Sequence, residues 1–363
     1  MSNDYVVERC LPEINNREKP LVSILVYNYN YGRYLRECLD SLVAQTYPNI
    51  EINFSDNYSE DDSWDIAIEY AKKYPGIFTI TQNRQNFGTG PNFRNCSINL
   101  RGKYFINMCS DDVLLPDFIS RCVAILQSNS EIGYVMTHRA IIDADSVRTE
   151  ELPFYNQSCV IPGHEQAAVY MMAAVNPSVS QILYSVKHTK GTSAGGLASE
   201  WYGTRIYDFN ICLEYSMAYI KEPLMLHRIH GLNESLKAAD KLLEVIGAYV
   251  VHVQFADIAS RRSLNKVSER LPKSISKLAL LSLRYCIRAL INENEILAKK
   301  YFHLALCLDH NYEEHDITRK LQRYWLAEGE ERLHILDSFE SNASEGIISR
   351  MTSYAPPEGS ILL

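Results

Sequence analysis

Two adjacent carboxylates, Asp111 and Asp112, follow directly on the apolar run Tyr104-Phe105-Ile106-Asn107-Met108, and Pro116 stands a few residues beyond. The run reads as a buried strand, which puts both aspartates just past its C-terminal end, where open α/β sheets bind ligands. Two hard oxygen ligands at a strand tip suit Mg²⁺ or Mn²⁺, and such a cation commonly also holds a diphosphate. Asp111 would equally cap a helix opened by Pro116. This stretch by itself does not separate the two roles.

Other chemistry-bearing residues recur in similar places. Asn28-Tyr29-Asn30, Asp56-Asn57 and Asn83 to Asn86 each end an apolar run, as Asp111-Asp112 does. Asp208 precedes Phe209-Asn210-Ile211-Cys212-Leu213 and is expected at the start of a helix, either as its N-cap or as a carboxylate base. Arg228-Ile229-His230 closes a short apolar segment. These residues, and Arg94 in Asn92-Phe93-Arg94-Asn95, each have a plainer role available: a turn residue for Asp56, a solvated helix arginine for Arg94, a loop histidine for His230, a packing tyrosine for Tyr29. Trp201 and Tyr202 suit a sugar platform or a core equally.

These residues need elements to hold them. Leu21 to Tyr27, Ile50 to Phe54, Ile77 to Thr81 and Tyr104 to Met108 read as strands. Helical spacing over Arg33–Gln45, Trp64–Tyr74 and Pro91–Leu100 alternates with them. Short βαβ links predict a doubly wound, mostly parallel sheet, with all four polar loops on one rim. A nucleotide-sized ligand would lie across that rim. A further helix (Phe118–Gln127) and strands (Gly133–Thr137, Ala218–Ile220, Pro223–Ile229) follow. From about Ala238 the pattern is helical throughout: Leu242–Ile258, Ile275–Ile291, Glu293–Leu308 and Ile317–Leu336. The expected organisation is an α/β domain over 1–237, an all-helical region over 238–337 and a flexible tail over 338–363.

The chain has 363 residues, 46% hydrophobic and 22% charged, enough for two domains, with a net charge of −8 that does not fit a nucleic-acid binder. No apolar stretch is long enough for a bilayer span, and Met1 to Pro20 does not pattern as a signal peptide. The nine cysteines form no CxxC pair, which predicts reduced thiols and a cytoplasmic protein, at the inner face of a membrane if it meets one.

The stretch VSILVYNYNYGRYLRECLDSLVAQTYPNIE, with Asn92-Phe93-Arg94-Asn95, Cys109-Ser110-Asp111, Tyr207-Asp208 and Arg228-Ile229-His230, resembles the family-two inverting glycosyltransferases of the GT-A fold over roughly Lys19–Leu236. The resemblance implies a donor nucleotide sugar, UDP-linked first of all, with Mn²⁺ or Mg²⁺. It implies nucleotide contacts from Tyr29, Asn30, Asp56 and Arg94, and a metal site at Cys109-Ser110-Asp111 in the place of the family's DxD. It further implies a catalytic base at Asp208, and Arg228 and His230 closing over the diphosphate, with His230 also counted as a metal ligand. The expected acceptor is a glycan, a lipid-linked glycan or a protein. Cys109 replaces the first aspartate of the DxD, and Tyr207 replaces a glutamate.

Other functions stay open at this point: a nucleotidyltransferase, which usually shows a basic Gly-rich phosphate loop, or a non-catalytic nucleotide-sugar binding protein. A glycoside hydrolase would need two facing carboxylates rather than four strand-end loops. The helical region has three open roles: binding acceptor, self-association, or peripheral membrane contact.

Overall fold

The computed structural model describes residues 5–9, 18–172, 178–190, 199–231, 242–309, 311, 315–346 and 352–363. Strands β1 (Tyr5–Arg9), β2 (Val22–Asn28), β3 (Ile50–Asp56), β4 (Phe78–Asn83), β5 (Tyr104–Cys109), β6 (Val113–Leu114), β7 (Ile132–Ile142), β8 (Arg148–Thr149), β9 (Cys159–Ile161), β10 (Ile182–Ser185), β11 (Ser216–Arg228) and β12 (Ile361–Leu362) share one mixed sheet. Its main path runs β1-β4-β3-β2-β5-β10-β7-β11-β9-β12.

The expected parallel unit is present: β2 pairs in parallel with β3 and β5, and β3 with β4. The C-terminal ends of these four strands therefore open onto one rim. Helices α1 (Gly32–Val43), α2 (Ser63–Lys73), α3 (Thr89–Ile98) and α4 (Phe118–Ser128) complete the windings. Ile24, Val26, Ile52 and Ile106 point to one face and pack with Leu35, Leu39, Ile66 and Phe118 of α1, α2 and α4. Burial on both faces explains why these strands read as continuous apolar runs rather than alternating ones.

The other face, bearing Leu25 and Phe105, is covered by α3, by α5 (Gly163–Tyr170) and, beyond the short α6 (Val186–Thr189), by α7 (Ser199–Cys212). Helix Leu243–Arg261 continues the same core, with Phe255 stacked on Phe209 at 3.8 Å. The helical region is thus packed into the α/β core rather than set apart from it. The expected boundary at 237/238 lies outside the described residues.

Several expectations need correction. Asp208 does not open a helix; it lies well inside α7, so it has no role as an N-cap. The two short segments expected around Ala218–Ile229 form the single strand β11, parallel to β7, and its register shifts around Pro223, which cannot donate to the ladder. The last expected helix is two, Asp316–Leu326 and Gly329–Gly346, broken where Gly329 takes φ +56°. The end of the tail is not loose: Tyr354 exchanges backbone hydrogen bonds with Phe154 and Asn156, and β12 pairs with β9.

Candidate active site at the tip of strand β5

Strand β5 ends at Cys109, and the chain turns through Ser110, Asp111 and Asp112 before β6 pairs with β11. This pairing brings the end of β11, with His227, Arg228 and His230, against the two aspartates. Asp111 Oδ2 lies 3.2 Å from His230 Nε2. Asp112 is fully buried and fully used: its Oδ1 accepts from the Arg228 amide at 3.0 Å and meets His227 Nδ1 at 3.0 Å, while its Oδ2 accepts from Ser178 Oγ and Ser180 Oγ at 3.0 and 2.7 Å. Burial alone would raise the Asp112 carboxyl, but His227 and these donors hold it below the usual range. Burial, and then the charge of Asp112, push Asp111 up to about 7. The pair thus splits into a structural carboxylate, Asp112, and one whose charge calls for a cation, Asp111.

Arg228 is not placed as a clamp over a diphosphate. Its side chain is 0% exposed, and its Nε donates to the Asp111 carbonyl at 2.8 Å. Its other nitrogens donate to the Asp143 carbonyl, Ser146 Oγ and Glu37 Oε2. The guanidinium lies over the Tyr34 ring at 4.7 Å, and His230 packs on the same ring at 4.8 Å. Burial, then the neighbouring Arg228 and Arg33 charges, lower the His230 imidazole, so it is neutral at pH 7 and suited to ligate through nitrogen.

The other rim residues divide similarly. Tyr29 is exposed, and Arg94 is exposed on α3. Asn30 adopts φ +57° and closes the loop, its amide donating to Ser59 Oγ and its Oδ1 accepting from Glu60 N. Asp56 is buried, and its carboxylate accepts from Asn28, Ser59 and Gln82 side chains and from the Ser59 amide, so it shapes the β2 and β3 loops. A ladder of amides runs beneath: Asn95 donates to Asn83, Asn83 to Asn57, and Asn57 to Asn86. Ser110 is buried in the turn.

Asp208 belongs to a different part of the face. Its Oδ1 accepts from Tyr184 Oη at 2.6 Å, and Tyr134, Tyr170 and Cys212 surround it. Burial pushes its carboxyl up to about 7, against the Tyr184 hydrogen bond and the Arg205 charge, which lower it. In the sheet register Tyr184 stands opposite Phe105, several residues before Asp111. The structure does not bring Asp208 and Asp111 into one hydrogen-bonded group. The side chains of Trp201 and Tyr202 lie outside the described residues.

Sequence reasoning did not single out His227, Ser178, Ser180, Glu37, Tyr34 or Ser146. Ser178 and Ser180 sit in a stretch with no regular pattern, and Glu37 looks like any polar position of an amphipathic helix.

The donor set can be weighed for a metal. The Sγ of Cys109 and the carboxylates of Asp111 and Asp112 lie within 4.8 Å of one another. The Cys109 thiol is pushed well up by burial and then by the two aspartates, so it stays protonated and is a poor ligand for a hard cation. Asp112 is committed elsewhere. Asp111 with the neutral His230 gives an oxygen and a nitrogen, a set that fits Mn²⁺ with the remaining positions left for substrate oxygens.

The mixed sheet, with its parallel unit and the candidate site at the strand tips, is of the GT-A type. A mannosyltransferase from Pyrobaculum calidifontis, solved with GDP-Man and Mn²⁺, superposes with a TM-score of 0.52 at 14% identity over 93% of this chain and 83% of that one. Residues 23–180 match the model of Glycosyl transferase family 2. An uncharacterised glycosyltransferase of Nostoc is 27% identical over 61% of this chain and 69% of its own length. One of Rickettsia prowazekii is 40% identical over 31% of this chain, and the match spans only 33% of that protein.

Proposed function

We propose that the protein transfers a sugar from a nucleotide diphosphate sugar, a UDP-hexose or UDP-N-acetylhexosamine first, to an acceptor hydroxyl with inversion at the anomeric carbon. The observation that carries this reading is the meeting of Asp111 and His230 at the tip of β5, beside the exposed Tyr29 and Arg94 of the same rim. Asp111 and His230 would hold Mn²⁺ or Mg²⁺. When bound, such a cation offsets the negative charge that the leaving diphosphate gains. Tyr29 offers a ring face to the base, Arg94 a cation beside it, and Asp56 keeps the loops of β2 and β3 in shape for both. Asp208 is the base of this reading: a carboxyl pushed up to about 7 is matched to taking a proton from a hydroxyl near neutral pH. The acceptor is a glycan, a lipid-linked glycan or a protein, met in the cytoplasm or at the inner membrane face.

The test is release of nucleoside diphosphate from a panel of UDP-, GDP- and dTDP-sugars, with and without Mn²⁺, across acceptor glycans. We expect turnover with one donor class that disappears in chelator. Binding of a nucleotide sugar without turnover on any acceptor would instead favour a non-catalytic binding protein.

A further inference from the structure

Glu37 lies on α1, far in sequence from Arg228, and carries no motif. In the structure its Oε2 accepts from Arg228 at 2.5 Å and from Ser146 Oγ at 2.8 Å. One helical turn earlier on α1, Tyr34 supports both the Arg228 guanidinium and the His230 ring. Positions three apart lie on the same helix face, so α1 grips the end of β11 with two neighbouring side chains. The Glu37 side chain keeps 43% exposure while that of Arg228 has none. The buried cation is thus balanced by a carboxylate on the water side, and the turn at Asp143–Ser146 closes the arrangement from a third direction. The Arg228 Nε meets the Asp111 carbonyl.

We infer that Glu37 is a positioning residue for the metal site: it fixes the Arg228 guanidinium, which in turn fixes the Asp111 main chain and, through Tyr34, the plane of His230. This rests on the reading of Asp111 and His230 as metal ligands. An outer partner that orients a ligand is worth about 10- to 100-fold in metal affinity or activity. The effect of Glu37 passes through Arg228. Glu69 of α2 pairs with Arg36 of α1 on the open surface and makes the matched control.

The experiment compares wild type, Glu37→Gln, Glu37→Ala, Glu37→Asp, Glu69→Gln and Asp111→Ala in the full chain. The readouts are the Mn²⁺ concentration that half-saturates binding of fluorescent UDP, the split between kcat and KM, and the melting temperature. Glu37→Gln keeps an acceptor for Arg228 and a near-native shape, so it is the variant that remains folded if Glu37→Ala does not. We expect both to raise the half-saturating Mn²⁺ by about tenfold or more, Glu37→Asp to recover part of the loss, and Glu69→Gln to match wild type. A lowered melting temperature with unchanged Mn²⁺ half-saturation in Glu37→Gln overturns the inference and leaves a purely structural ion pair, the metal reading intact. Wild type that binds UDP identically in chelator, or Asp111→Ala that keeps full Mn²⁺ dependence, overturns the metal reading and this inference with it.

Discussion

Arg228 Nε donates to the main-chain carbonyl of Asp111 at 2.8 Å, so the most buried cation of the site acts on the backbone of its metal-ligand candidate and not on a substrate. A buried guanidinium with this many protein acceptors has two consequences for mutation. Removing it takes a donor from the Asp111 and Asp143 carbonyls and leaves Glu37 without its cation, and replacing it with lysine keeps the charge but not the fork geometry. We expect Arg228→Met to cost about 3 kcal/mol of stability and Arg228→Lys about 1–2 kcal/mol, measured by urea denaturation. A phosphate clamp would behave in the opposite way: near-native stability for both, with loss confined to donor affinity.

Asp111 itself should be dispensable for folding. Its Oδ2 meets His230 Nε2, whereas Asp112 holds the Arg228 amide, His227 and two serine hydroxyls, and the Asp111 carboxyl is pushed up to about 7 by burial beside that negative neighbour. Asp111→Asn should therefore melt no lower than wild type at pH 8, while transfer falls by about a hundredfold or more, as for loss of a group that anchors charge stabilisation. Asp112→Asn should do the reverse first, lowering the melting temperature, because the amide keeps one acceptor oxygen and turns its NH₂ on either the two serine hydroxyls or the Arg228 amide and His227. Equal melting curves for the two variants would contradict this division.

UDP should raise the melting temperature only when Mn²⁺ or Mg²⁺ is present, since binding to the native state stabilises by mass action. Thermal shifts with UDP in chelator, in Mg²⁺ and in Mn²⁺ check it. Identical shifts in all three would mean that the rim loops hold the nucleotide without a bridged diphosphate.

The parallel unit was legible because each of its strands is buried on both faces and its loops are polar: Leu21–Tyr27 and Tyr104–Met108 left little choice. The location of Asp111 at a strand tip followed from the same pattern. The antiparallel half was not legible. The strand β10 has only Ile182–Ser185, and it is fixed by tertiary pairing with β5 and β7 rather than by its own periodicity. Without β10, the partners Ser180 and Tyr184 had no place, and the buried tyrosine setting of Asp208, read from the sequence as a cap or a base, could not be seen. Arg228 misled for a similar reason. Its neighbours Glu37, on α1, and Asp143 and Ser146, in the turn after β7, come from two other elements, which no local spacing reveals.

The pH behaviour of Asp208 gives the most discriminating test. Its carboxyl is raised by burial from an ordinary value near 3.8 to about 7. A raised carboxyl favours the folded state where it is protonated in the fold and ionised when unfolded least often, that is, at low pH. As pH climbs from about 4 to about 7, the unfolded chain ionises while the fold still holds the proton, so stability falls by up to about 1.4 kcal/mol per unit and at most about 4 kcal/mol in all. Asp208→Asn removes this loss. The amide still accepts from Tyr184 and α7 needs no cap there, so the variant should melt higher than wild type at pH 8 and about equally at pH 4. The base role adds a second, separable outcome. Wild-type kcat should rise through an apparent pKa near 7 as the carboxylate forms, and the Asn variant should lose about 10²- to 10⁴-fold in kcat with donor affinity retained. A variant stabilised at pH 8 with undiminished kcat would keep the buried-acid description and remove Asp208 from the chemistry. An unchanged pH dependence of stability would instead show that the tyrosine cluster does not hold a protonated carboxyl at all.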